Sequence, residues 1–250
     1  MRQIRAYLLF TGWRYKLVMF LGLPGAVLAG GWLWRSFTVV SSDGGGPGFH
    51  LFSHLSGSEG FRILTAMLLI FIEILSDQAV FNGIQSKRGY KLDFLKTSPR
   101  GREVLWQGLT GDLVRRMLTA GACACAVWVT KVLTLDGGLA RGLGLVLAVF
   151  SLETLGLFIS RFTRSILLCL YTAYGCAAAG VILLILVSGL PVSWLWAADG
   201  LLALTAAALS VLVVGIGMKK WHETFADSQE TIGKVGVCAE AHRRYKNENL

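Results

Sequence analysis

Apolar residues in this chain are gathered into six long runs, near Lys16 to Trp34, Phe61 to Asn82, Leu113 to Leu133, Ala140 to Phe162, Ser165 to Val187 and Val192 to Met218. Each run approaches the roughly 20 residues that a helix needs to cross about 30 Å of hydrocarbon. The pattern predicts an all-α integral membrane protein with six transmembrane helices. Only Gly189 to Pro191 separate the last two runs, which predicts a tight hairpin there. Between the first two lies an outer loop, Ser41 to Gly60. Its Gly44-Gly45-Gly46-Pro47-Gly48 reads as a flexible joint, and Phe49, Leu51, Phe52 and Leu55 predict a short interfacial helix. At the start of the chain, Met1 to Tyr15 set Ile4, Leu8 and Trp13 against Arg2, Arg5 and Arg14, the pattern of an amphipathic helix lying in the headgroup layer. In the first run, Gly22, Ala26 and Gly30 make a ridge of small residues for close helix approach, and Pro24 beside Gly25 predicts a kink. The layout is one six-helix membrane domain, residues 1–218, followed by a polar tail, residues 219–250.

Composition agrees with a membrane class. Hydrophobic residues make up 54% and charged residues 16% of the chain, where a soluble domain carries about 25% charged residues. The basic residues then give the orientation. With six spans, all of the 24 Lys and Arg except Arg35, Arg62, Lys131 and Arg141 fall on the side that holds both termini. The positive-inside rule makes that side cytoplasmic. Topology signals and attraction to anionic lipid account for the formal net charge of +9, so no nucleic-acid partner is needed. The N-terminal apolar run Tyr7 to Phe10 is too short for a signal peptide, so the first span is expected to remain in the protein. Cys123, Cys125, Cys169 and Cys176 lie within spans and Cys238 in the tail, so no disulfide framework is visible.

A charge inside the bilayer is costly and demands a reason. Glu73 lies midway along the second run and Glu153 deep in the fourth, and Asp77 follows Glu73 on the same helical face, nearer the cytoplasm. Two readings fit Glu73 and Glu153: bonding to a neighbouring helix, or lining a translocation path. Glu73, Asp77 and Glu153 are the candidates for such a path. Asp112 precedes Arg115 and Arg116 by three and four residues, which predicts a solvated or ion-paired cluster at the membrane interface.

The residue patterns speak against an enzyme. Ser56-Gly57-Ser58-Glu59-Gly60 lacks a nucleophile elbow, and no H-E-x-x-H is present. His50 and His54 have ligand spacing but no evident third ligand, and Cys123 and Cys125 point apart on a helix, so neither a catalytic nor a metal site is expected. There is no G-x-x-x-x-G-K-[ST], so any ATP hydrolysis belongs to another chain.

Between the second and third runs lies a basic island, Ser86 to Arg102. Tyr90 and Phe94 are four apart, as are Lys91 and Leu95, with Leu92 between them and Pro99 closing the run. A short helix here would suit a protein groove. Spacing alone fits a positive-inside loop on the membrane surface equally well. The segment Leu95-Lys96-Thr97-Ser98-Pro99-Arg100-Gly101-Arg102 resembles the Leu-Lys-Ser-Leu-Pro-Ile-Ser-Arg segment of type-2 ATP-binding-cassette exporter permeases. It matches at Leu95, Lys96, Pro99 and Arg102 and departs at Ser98, Arg100 and Gly101.

The resemblance implies a short cytoplasmic coupling helix carrying Tyr90, Leu92, Phe94, Leu95, Pro99 and Arg102, seated in a separate nucleotide-binding ATPase subunit. It also implies a second permease subunit, identical or related, in a bacterial cell membrane. ATP and magnesium would be held by the ATPase and no cofactor by this chain. Short re-entrant outer helices join the last two spans in that family, and Leu190 to Trp196 would be a reduced version. The expected function is therefore the permease subunit of an ATP-driven exporter. The abundant aromatic residues fit an amphipathic cargo such as a peptide, lipid or drug, and fit interfacial belts equally. The alternative is an ion-coupled secondary transporter that uses Glu73 and Glu153.

Overall fold

The structure is a computed structural model and describes residues 10–43, 57–81, 100–130, 138–162 and 166–234. These residues are helical, with no strand among them. The elements are α1 (Trp13–Leu17), a π-helical turn (Val18–Gly22), α2 (Leu23–Asp43), α3 (Gly57–Phe81), α4 (Gly101–Val129), α5 (Gly138–Ser160), α6 (Ile166–Ser188) and α7 (Val192–Lys234). Four stretches are long and apolar enough to cross a membrane: Trp13–Trp34, Leu139–Ser160, Ile166–Val187 and Ser193–Lys219. α3 and α4 are also long, at 25 and 29 residues, but carry several charges.

The expected kink at Pro24 takes a specific form. Proline has no N–H to donate to the turn before it, and the backbone widens to the π-helical turn Val18–Gly22 directly upstream. The small-residue ridge is used less than expected. Gly22 and Ala26 are exposed, Gly30 meets the Phe61 ring, and the closest approach falls at Gly31, where a Cβ would lie 2.8 Å from the Thr130 side chain.

Two helices outrun the apolar pattern. α4 begins at Gly101 rather than near Leu113, because Leu105, Leu109 and Leu113 bury one face through a stretch whose charges lower its hydropathy. Glu103 in the first turn complements the helix dipole, and its carboxylate accepts from Gln107 Nε2 at 3.0 Å. α7 continues to Lys234, well past Met218.

α5 is the central helix, packing against α3, α4, α6 and α7. Its contact with α3 depends on glycine. Ile70 and Ile74 share one face of α3, and their side chains occupy the space that a Cβ would need at Gly180 of α6 and Gly156 of α5. The main core gathers residues of α2 to α6 around Ile70 and Ile74. A second core, with Phe10, Phe81, Leu109, Leu157 and Val213, fills the end where α3 and α5 finish and α4 begins.

The junction of α6 and α7 is as short as expected, and the Pro191 carbonyl accepts from the Trp194 and Leu195 N–H groups at 2.9 and 3.2 Å. It does not make a side-by-side pair, since both helices lie along α5 instead of each other. Nor is there a separate re-entrant helix: Val192 to Trp196 form the first turns of α7, because Pro191 starts a new helix at once.

Candidate functional site

The site is a buried charge network shared by α3, α4 and the end of α5. α3 contributes Glu73 and Asp77, one turn apart, and α4 contributes Asp112, Arg115 and Arg116. All are at most 1% exposed. Arg115 donates Nη1 and Nη2 to the two carboxylate oxygens of Glu73 at 2.7 and 2.5 Å, the fork geometry that a guanidinium matches best. The same Nη2 donates to Asp112 Oδ1 at 3.2 Å.

Arg116 is held from three sides. Its Nε donates to Asp112 Oδ2 at 2.9 Å and its Nη2 to Asp77 Oδ1 at 3.1 Å. Its Nη1 lies 3.1 Å from the Glu73 backbone carbonyl and 3.1 Å from Glu73 Oε2. Arg161, just past the end of α5, closes the network. Its Nε donates to Asp77 Oδ1 at 3.1 Å, its Nη2 donates to Asp112 Oδ2, and its guanidinium carbon lies 4.7 Å from the centre of the Phe81 ring. Ser160 donates its hydroxyl to Asp77 Oδ2 at 3.1 Å.

Three carboxylates thus face three guanidiniums, so the charges of the cluster balance. Desolvating six charges is expensive, and only dense mutual bonding offsets the cost. α1 reaches the same place, with the Tyr15 hydroxyl donating to Ser76 Oγ at 3.4 Å and Ser76 donating to the Glu73 carbonyl at 2.9 Å. Such an array can hold helices in register, and it can exchange partners if the helices move.

Glu153 is the other buried carboxylate nearby. It sits on α5, 1% exposed, and its Oε2 has no hydrogen-bond partner among the described residues. Asp199 of α7 is similar at the far end of α5. Both its oxygens are buried without a hydrogen bond, and Oδ1 lies 2.8 Å from where a Cβ of Gly144 would stand.

The structure therefore brings together Glu73 and Asp77, with Glu153 close by. Asp112, Arg115 and Arg116 are paired as the spacing predicts, but deep inside the bundle and not in a solvated interfacial cluster. Arg161 and Ser160 escaped the sequence reading, because an arginine that ends an apolar run looks like an ordinary positive-inside residue. Of the coupling candidates, Arg102 is exposed in the first turn of α4, and Tyr90, Leu92, Phe94, Leu95 and Pro99 lie outside the described residues. So do the N-terminal amphipathic segment before Phe10, the outer loop with His50 and His54, and the tail beyond Lys234. Cys123 is buried and Cys125 exposed, as their divergence on a helix predicts. No group of ligands that could hold a metal occurs among the described residues.

Comparison of the chain with protein-family models, with curated proteins and with solved structures gives no match.

Proposed function

We propose that the chain is the permease subunit of an ATP-driven exporter, embedded as six spans with both termini in the cytoplasm. α3 and α4, the second and third spans in chain order, join the four more apolar stretches to make six. At 25 and 29 residues they are about 37 and 43 Å long, enough to cross a bilayer. Five of their charges, those of Glu73, Asp77, Asp112, Arg115 and Arg116, are withdrawn into the network, and α3 is surrounded by α2, α4, α5 and α6. A separate ATPase subunit would bind ATP and magnesium, and a second permease subunit would complete the pathway in a bacterial cell membrane. An amphipathic peptide, lipid or drug is the proposed cargo class.

One observation carries this reading: the basic segment runs between α3 and α4, and those two helices supply five of the six charges in the network. A push on that segment is delivered to both helices at once, and Arg161 passes it on to α5. ATP-driven closure of the partner would then favour one packing of the bundle over another, a shift between two arrangements. The exposed Arg102 stands at the cytoplasmic end of that path.

The experiment is to purify the chain from its native membrane in mild detergent and measure ATP hydrolysis by the complex. The expected result is a co-purified ATPase stimulated by the wild-type chain, with stimulation lost in Phe94→Asp or Leu95→Asp variants that still insert. Full stimulation in those variants would sink the coupling role. Transport that runs without ATP and stops when the proton gradient is dissipated would instead favour the ion-coupled carrier.

A further inference from the structure

We propose that Glu153 is a proton-binding site, and that its ionisation re-sorts the neighbouring arginine–carboxylate network. The proposal holds whether or not ATP drives the bundle, because it rests on charge balance inside the protein.

The network is closed at three carboxylates and three guanidiniums. Glu153 of α5 is a further buried carboxyl group, 1% exposed. The groups acting on it are Glu73 of α3 and Asp112 of α4 as like charges, and Arg115 and Arg116 of α4 as opposite charges. Cys123 of α4 also feels Glu153. From α6 the titratable group near this part of α5 is Cys176, whose sulfur lies 3.6 Å from the position of a Gly156 Cβ. α7 presents Asp199, but against Gly144, more than two turns away along α5.

None of these donates a hydrogen bond to Glu153 Oε2. An ionised carboxylate buried without a donor is strongly disfavoured, whereas a protonated one carries no charge to compensate. The arrangement seen here is thus the one that suits a protonated Glu153. Loss of that proton would add a fourth negative charge beside the network. Arg115 and Arg116 are the cations whose charge acts on it, and both are engaged with Glu73. Glu153 and Glu73 would then compete for the same two guanidiniums, and α5 would be drawn toward α4 at the expense of the α3–α4 fork. A proton becomes a ligand that selects between two pairings, as a two-state element requires.

Infrared difference spectroscopy on the full-length protein in lipid nanodiscs tests this directly, with pH and deuterium exchange as the probes. At neutral pH the wild type should show the deuterium-sensitive carbonyl band of a protonated carboxylic acid, lost in Glu153→Gln and kept in Asp199→Asn. The second variant matters because Asp199 is also buried without hydrogen bonds. On alkalinisation, disappearance of the Glu153 band should coincide with a shift of the arginine guanidinium bands, and Glu153→Gln should abolish that shift. A neutral-pH spectrum in which Glu153→Gln removes no carboxylic-acid band, or a guanidinium shift that persists in Glu153→Gln, overturns the proposal.

Discussion

Arg115 of α4 closes a two-bond fork on Glu73 of α3, at 2.7 and 2.5 Å, with both side chains shut off from solvent. This pair is the keystone of the network, so truncating either partner should strand the other charge. We expect Glu73→Leu alone, or Arg115→Met alone, to cost about 3–5 kcal/mol. The double variant should be milder than the sum of the singles, with a coupling of about 1–3 kcal/mol. Reversible unfolding in mixed detergent micelles measures all three. Additive losses would mean that the two residues do not act on each other.

Arg161 joins α5 to both other helices through Asp77 and Asp112. Lysine carries the same charge but lacks the planar fork, so Arg161→Lys cannot serve both carboxylates at once. A loss of about 2 kcal/mol is expected in the same unfolding assay, the size of one charged hydrogen bond. Arg161→Lys indistinguishable from wild type would place the residue outside the load path.

Gly156 leaves room for Ile74, and no larger residue fits without displacing it. Gly156→Val should destabilise the bundle by about 1–3 kcal/mol through overpacking. Ile74→Ala should cost less in that background than in the wild type, since the overlap is with that one side chain. Equal costs in both backgrounds would show that the two side chains do not meet there.

Six spans require Arg102, at the start of α4, and Leu139, at the start of α5, to face opposite sides of the membrane. Both are exposed, Leu139 at 82%. In a background free of native cysteines, Arg102→Cys should react with an impermeant thiol reagent only in inside-out vesicles, and Leu139→Cys only in right-side-out ones. Labelling of both from one side would leave α4 short of spanning.

Much of this architecture is legible in the sequence because hydropathy is a local property. The apolar runs from Ala140, Ser165 and Val192 become α5, α6 and α7 almost unchanged at their starts. The apolar pattern predicts α4 about three turns too short, since Arg102, Glu103 and Asp112 lower the hydropathy of a stretch whose Leu105 and Leu109 are buried. The site was half legible. Glu73, Asp77 and Glu153 stand out as carboxylates in apolar runs, and Asp112 pairs with Arg116 by spacing alone. That Glu73 belongs to Arg115, 42 residues later, or that Asp77 belongs to Arg161, 84 residues later, depends on how the helices pack. Periodicity within one helix holds no record of its neighbour.

The most direct measurement compares ATP turnover by the partner ATPase bound to the wild-type chain with turnover when it is bound to Arg161→Gln, both reconstituted in lipid. The expected result is stimulation by the wild type and a complex that still assembles but is no longer stimulated with Arg161→Gln, because motion of α3 and α4 then fails to reach α5. Unchanged stimulation in Arg161→Gln, or no ATPase bound to the wild-type chain, would contradict the proposed coupling.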